Sequence, residues 1–257
     1  MYSMTVSRLR TKIRLDISAA LVLAVLSYQV VPALAQPPAG QPPAGQPPAG
    51  QPASGPPAAG RAGGGGRATA PAPDPTKPAK LTLTTGSKAR YKVREQLAGI
   101  SFPSDAVGTT ESVTGVIVVN PDGSLDAAAS KITVDLKTLA SDQQMRDNYI
   151  QTRTLETAKY STLEFVPKRV VGLTAGPLPT TGQQGFQLVG DMTLHGVTTE
   201  ATWNVVATFA NDAVAGRGTT TLTFEQFKLT KPTLARLLSV DDKIELEIEF
   251  RCTRSAS

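Results

Sequence analysis

The chain has 257 residues, a formal net charge of +5, and a single histidine, a single cysteine and a single tryptophan. One cysteine excludes an intramolecular disulfide, and one histidine beside it gives a poor basis for a zinc-type ligand cluster. The positive charge is no nucleic-acid footprint: no basic patch is interleaved with aromatic residues, and Arg8, Arg10, Lys12 and Arg14 against Asp16 place a net +3 of it in the first 35 residues.

Those four basic residues precede the apolar run ISAALVLAVLSYQVV (residues 17–31) and then Ala33-Leu34-Ala35. A basic n-region, an apolar h-region and a small-residue cleavage pattern predict a signal peptide over 1–35, cut after Ala35. The run is short for a membrane span, which needs about 20 apolar residues; an uncleaved anchor is the alternative. The predicted location is periplasmic or secreted. The repeat QPPAG-QPPAG-QPPAG-QPASG-PPAAG follows from Gln36, then RAGGGGR and further proline. With almost no large apolar side chains it cannot repay its ordering entropy, so 36–80 is predicted to be a disordered linker. It reads as a spacer or as a tolerated low-complexity insert.

Residues 81–254 are long enough for one domain with a sizeable core, and their texture is period two, as in half-buried strands. Ala89, Tyr91 and Val93 alternate with Lys88, Arg90, Lys92 and Arg94. Residues 99–110 read as a loop, and 113–119 as a more continuously apolar strand. Asn120-Pro121-Asp122-Gly123 marks a turn. Ile132, Val134 and Leu136 then share a face. Residues 141–160 lack Gly and Pro and read as one or two short surface helices, with Ser141 as N-cap and Met145, Tyr149 and Ile150 as an apolar edge. Leu163 and Phe165 open a bent strand over 161–173. After a loop over 174–185, Phe186, Leu188, Gly190, Met192 and Leu194 share one face, as do Val197, Ala201, Trp203, Val205, Ala207 and Phe209. Thr220, Leu222 and Phe224 follow, and finally Ile244, Leu246, Ile248 and Phe250, set against Glu245, Glu247, Glu249 and Arg251.

This makes eight strands. The first presents a row of cations and the last a row of carboxylates. Each row alone repels itself; side by side they form cross-strand pairs worth about 0.2–1 kcal/mol each. An even, up-and-down order brings first and last strands together antiparallel, which predicts a closed barrel. Eight strands enclose either a filled interior or one small ligand.

His195-Gly196 separates two alternating runs by the length of a two-residue hairpin loop. A catalytic histidine wants a nucleophile and an orienting carboxylate, and there is no G-x-S-x-G. The hairpin is therefore the favoured reading and a hydrolase the weak alternative. Cys252 reads as a small buried hydrophobe.

The segment LVGDMTLHGVT (residues 188–198) is similar to the "GxLTxHGVT" hairpin of the YceI-like polyisoprenoid-binding proteins. Arg146-Asp147-Asn148-Tyr149-Ile150 with Tyr160 and Phe165 is similar to that family's "RDxxL…yP…F" segment, and the D-x-I-x-L-x-I strand from Asp242 also fits. Departures are Ser161 where the family carries Pro, Glu225-Gln226-Phe227-Lys228-Leu229 where it carries R-x-D/E-F-G, and the linker itself. From about Ser87 to Cys252 the chain thus resembles exported proteins with a lipocalin-like barrel. The resemblance implies an all-β, eight-stranded antiparallel up-and-down barrel, with one or two short helices between strands 3 and 4. It also implies a binding protein, not an enzyme, that holds a polyisoprenoid (a quinone or polyprenyl chain) or similar long-chain lipid for transport, storage or sequestration. No cofactor is expected beyond that bound lipid. Other partners would be a membrane contacted transiently and no nucleic acid; a homodimer stays open. The inward residues expected to touch lipid are Tyr91, Val93, Ile132, Val134, Leu136, Phe165, Leu188, Trp203, Val205, Leu222, Phe224, Ile244, Leu246 and Ile248. The alternative is a filled barrel serving as a tethered envelope interaction or structural module without ligand, since a packed core has the same composition. Arg146 would meet a lipid head group on one reading, and pin the helix to the barrel on the other.

Overall fold

The computed structural model describes residues 71–257. The predicted signal peptide, and the predicted linker up to residue 70, lie outside the described residues. Within them the alternating runs form eleven strands: β1 (Ala79–Leu83), β2 (Lys88–Leu97), β3 (Ser104–Thr110), β4 (Val113–Val119), β5 (Lys131–Asp135), β6 (Ala140–Ser141), β7 (Thr162–Val171), β8 (Gln183–Leu194), β9 (Val197–Phe209), β10 (Ala213–Thr223) and β11 (Leu237–Ala256). They close into an eight-membered antiparallel ring because three positions, β1/β2, β3/β4 and β5/β6, are each filled by a broken strand, β6 pairing with β3 and β5 with β4. The long β11 pairs with β2 over its first part and with β1 over its last. On the next wall β3 pairs with β2, and β4 with β1. The ring continues β4–β5–β7–β8–β9–β10 and returns to β11. Where β1 breaks from β2, the buried Ser87 hydroxyl donates to the Thr84 carbonyl at 2.9 Å and accepts from Arg251 N at 3.0 Å. A side chain there replaces the missing rung of the ladder.

The seam between first and last walls is the one the two charge rows predict. Its register sets Lys88 opposite Glu249, Arg90 opposite Glu247 and Lys92 opposite Glu245. Arg90 contacts Glu247 and reaches Glu249 at 3.0 Å, Lys92 reaches Glu245 at 2.7 Å, and Arg217 on β10 joins Glu247 at 3.3 Å. The bent strand over 161–173 is one element, β7, with its irregularity between Pro167 and Arg169.

Three expectations need correction. The predicted linker gives up its last two residues, Ala79 and Lys80, to β1. The predicted loop over 99–110 contains β3. The helical segment is short as expected, one helix, α1 (Gln144–Tyr149), followed by a π-helical turn at Ile150–Thr154, but its cap and its apolar edge differ. Ser141 is not its cap: it belongs to β6, and its backbone N–H donates to the Asp147 carboxylate at 2.9 Å. Met145 is 76 % exposed, so the apolar edge of this segment begins at Tyr149 and Ile150 rather than at Met145.

The core divides along the barrel axis. Towards the His195-Gly196 turn and α1 the interior is solid. Met192 and Leu222 are fully buried there, and Phe227, from a 3-10 turn at Glu225–Phe227, is 0 % exposed. Towards the other end, where residues 120–125 and 172–182 cross the opening, the walls stand apart.

Candidate binding cavity

In a closed barrel every second side chain points inward, and the sequence decides which inward positions meet across the axis. In the open half they enclose a cavity of about 410 Å³ with a mainly apolar lining. Its floor is readable strand by strand. Tyr91 lines it but Val93 does not; Leu246 but not Ile244; Gly218 but not Leu222; Trp203 but not Ala201; Leu188 but not Met192. At the mouth, Gly176 N donates to the Asp122 carbonyl at 3.1 Å, and Arg254 donates to the carbonyls of Pro179 (2.7 Å) and Leu178 (3.1 Å). Gly123 has a φ of 87°, and a Cβ there would lie 2.9 Å from the Gly176 carbonyl oxygen. Both loops are thereby held across the opening.

Of the residues expected to touch lipid, Tyr91, Ile132, Val134, Leu136, Phe165, Leu188, Trp203, Val205, Leu246 and Ile248 line this cavity. Val93, Leu222, Phe224 and Ile244 do not. They face inward but pack in the solid half, where their neighbours leave no space. Sequence reasoning missed lining residues nearer the mouth, among them Leu81, Ile117, Val214 and Cys252. Val214 and Cys252 continue the alternation of their strands, so the signal was present. Leu81 lies in a strand hidden behind the proline-rich run.

Two polar atoms stand out in the lining. Tyr91 Oη and Trp203 Nε1 are buried and have no hydrogen-bond partner among the described residues. Burial pushes the Tyr91 phenol well above its usual pKa. Its ring lies over Gly108, where an added Cβ would overlap it. Trp203 packs edge-on against Phe165 with ring centroids 6.1 Å apart. Burial also pushes the Cys252 thiol up to about 12, so it remains a neutral, small apolar wall element.

The other singled-out residues hold structure together. His195 and Gly196 both adopt positive φ, 52° and 73°, and join β8 to β9 as a two-residue turn. This is the type I′ geometry that matches the strand twist. His195 Nε2 lies 2.7 Å from Glu156 Oε2, and its ring meets Tyr160 at 4.6 Å. A Cβ at Gly196 would sit 2.7 Å from the Tyr160 ring. The turn thus docks onto the segment after α1. Arg146 donates to Glu95 Oε1 at 2.8 Å and is also paired with Asp142. Glu95 is buried on β2, so the pair pins α1 to the barrel. Lys228 takes the left-handed φ of 53° where the 3-10 turn at Glu225–Phe227 ends. Among the described residues, no three His, Cys, Asp or Glu side chains are grouped to hold a metal.

Comparison with known proteins agrees with this architecture. A UPF0312 protein of Pseudomonas putida strain W619 is 33% identical over 129 residues, 46% of this chain and 62% of that protein. One from Pseudomonas savastanoi pv. phaseolicola is 36% identical over 123 residues, 42% of this chain and 59% of that protein. This chain thus spans about six tenths of the length of these curated relatives. Among solved structures, a polyisoprenoid binding domain from Saccharophagus degradans, implicated in plant cell wall breakdown, superposes with a TM-score of 0.53 at 12% identity. The match covers 68% of this chain and 98% of that one, and shows a shared fold. The YceI-like domain pattern matches residues 82–252, which takes in the seam, the hairpin and the cavity walls: the chain belongs to the YceI-like domain family.

Proposed function

We propose that this protein is an exported lipid-binding protein that holds an isoprenoid, or a similar long-chain lipid, inside its barrel for transport, storage or sequestration. The observation that carries the reading is the cavity of about 410 Å³, apolar over most of its lining and set inside a closed wall. Such a lining gains about 0.8 kcal/mol for each CH₂-like group it takes from water, without specific hydrogen bonds along the chain. The likeness to a solved polyisoprenoid binding domain supports the same ligand class. Export rests on the basic and apolar pattern of residues 1–35, and places the protein in the periplasm or outside the cell. Loading would need brief contact with a membrane, where such lipids reside.

The reading involves no chemistry on the lipid. His195, the residue a hydrolase would need, is tied to Glu156 and Tyr160 in a turn outside the cavity lining. The filled-barrel alternative describes only the half of the interior around Phe227 and Met192.

Protein purified from its native envelope, extracted with organic solvent and analysed by mass spectrometry, should release one prenyl or other long-chain lipid per chain. An empty extract, together with no quenching of Trp203 fluorescence by added prenyl quinones, would refute the proposal.

A further inference from the structure

We propose that the ligand is a short, uncharged prenyl chain of about three isoprene units, seated with its oxygen-bearing end at the floor of the cavity against Tyr91 and Trp203. This rests on the lipid-binding reading and adds size, charge and orientation to it.

Size follows from volume and length together. An apolar cavity of about 150 Å³ holds one benzene, so on that scale 410 Å³ accommodates about 16 carbons. On β11 the lining runs from Leu246 to Cys252. That is about 20 Å of strand at ~3.3 Å per residue, or about 15 Å along the axis at a tilt of ~40°. An extended chain advances about 1.2 Å per bond, as the backbone does over its three bonds per residue. The axial length therefore admits about 12 or 13 bonds. An unbranched chain of 16 carbons needs about 18 Å on the same measure. Three isoprene units put about 12 carbons in the main chain and three in methyl branches, so they fit the length and the volume at once.

Orientation follows from the floor. On β2 and β9 the innermost lining residues are Tyr91 and Trp203, and these carry the buried atoms without protein partners, an O–H and an indole N–H. Both donate, and an indole N–H can do nothing else. A buried donor without an acceptor is penalised, so the wall calls for an accepting oxygen at this depth.

Charge follows from the rest of the lining. Among the described residues its only cation, Arg90, is held by Glu247 and Glu249 at the seam. Asp122, at the mouth, accepts from the backbone and hydroxyl of Ser124 at 2.9 and 2.7 Å. Arg146, beyond the floor, is bound to Glu95 and Asp142. A phosphate or carboxylate drawn to the floor would lose its hydration without gaining a free counter-charge, whereas a prenyl alcohol, aldehyde or ketone meets the two donors without that cost.

The test uses delipidated full chain titrated with geraniol, farnesol and geranylgeraniol, and with farnesene as the matching chain without oxygen. Trp203 fluorescence reads wild type and Tyr91→Phe; calorimetry reads Trp203→Phe. Affinity should rise at least tenfold from geraniol to farnesol and less than threefold from farnesol to geranylgeraniol. Tyr91→Phe should weaken farnesol about 3- to 10-fold, the range of one hydrogen bond, and leave farnesene unchanged. Equal effects of Tyr91→Phe and Trp203→Phe on farnesol and farnesene would overturn the orientation. An equal gain at both chain-length steps would overturn the size. Binding of none of the four probes would overturn this proposal, and would leave the lipid-binding reading standing only if the native extract still yields a long-chain lipid.

Discussion

If the cavity is the binding site, filling it should remove the ligand while strengthening the protein. Ala89 is the position to fill. It points inward from β2 opposite Ile248, lines the cavity, and is only half-buried because its methyl group looks into open space. Ala89→Phe adds one phenyl ring, about 150 Å³ on the benzene scale, leaving about 260 of the 410 Å³. Some six ligand carbons lose their place. At about 0.8 kcal/mol per group this removes about 5 kcal/mol of binding, more than a thousandfold in affinity. The effect on the empty protein has the opposite sign. Cavity volume costs about 24 cal/mol per Å³, so a perfectly seated ring recovers at most about 3.6 kcal/mol. Allowing for imperfect fit, about 1–3 kcal/mol is expected, with a Tm gain of about 2–4 °C per kcal/mol in a domain of this size. Mass spectrometry of the extracted lipid and calorimetry of the delipidated protein read the two effects separately. A variant that keeps its full lipid content while its Tm falls would refute the reasoning, because the ring would then be overpacking a wall remote from the ligand.

Arg90→Glu turns the contacts with Glu247 and Glu249 into repulsions at the seam. It should cost about 1–3 kcal/mol, with the loss shrinking at high salt; an unchanged urea midpoint would contradict closure by these charge rows. Arg146→Ala leaves the buried Glu95 carboxylate without its main cation. A loss of about 2–4 kcal/mol is expected, partly recovered by adding Glu95→Gln, with lipid content unchanged; lost lipid at intact stability would instead mark Arg146 as a head-group contact. For Cys252, burial raises the folded thiol from an ordinary 9.0 to about 12, so the folded state holds this proton more tightly than the unfolded chain. Its contribution is complete below pH 9 and is lost as pH climbs towards 12, by at most about 1.4 kcal/mol per unit. Tyr91 shifts in the same direction, so the measurement is the difference between wild type and Cys252→Ala over pH 8–10.5; parallel curves would refute the burial effect.

Sequence periodicity revealed the walls better than what they enclose. β9 could be read almost residue by residue, because alternate positions from Ala201 to Phe209 are buried and those between them exposed. The seam was legible because like charges repeat on one face of each end strand. β1 was missed because five residues following a proline-rich run show too little of a period. β3 was missed because SDAVGTT carries Asp, Gly and Ala, residues depleted in strands, and is held by its neighbours β2 and β6. The floor of the cavity was not legible at all. Leu222 and Leu246 have the same chemistry and the same inward aspect, yet one meets the solid half and the other the void. That difference depends on what stands across the axis, which a strand-by-strand reading does not contain.

What stands across the axis is a matter of side-chain size more than of polarity. In the solid half, the inward positions of β8 and β10 carry Met192, Leu194 and Leu222. The chain after β10 then turns through Glu225–Phe227 and drives Phe227 into the end of the barrel. In the hollow half, the lining includes the small residues Ala89 on β2, Ala207 on β9 and Gly218 on β10, and the large residues among them lie against the wall rather than across it, as Trp203 does beside Phe165. An apolar gap forfeits dispersion contacts on every side chain facing it, so the hollow half weakens the barrel and something else must hold it shut. The seam ion pairs, the Arg146–Glu95 pair and the solid half do this at one end; the Arg254 hydrogen bonds to the 172–182 loop do it at the other. A barrel braced this way would retain its walls on release of the proposed lipid, so the cavity would empty without unfolding what surrounds it.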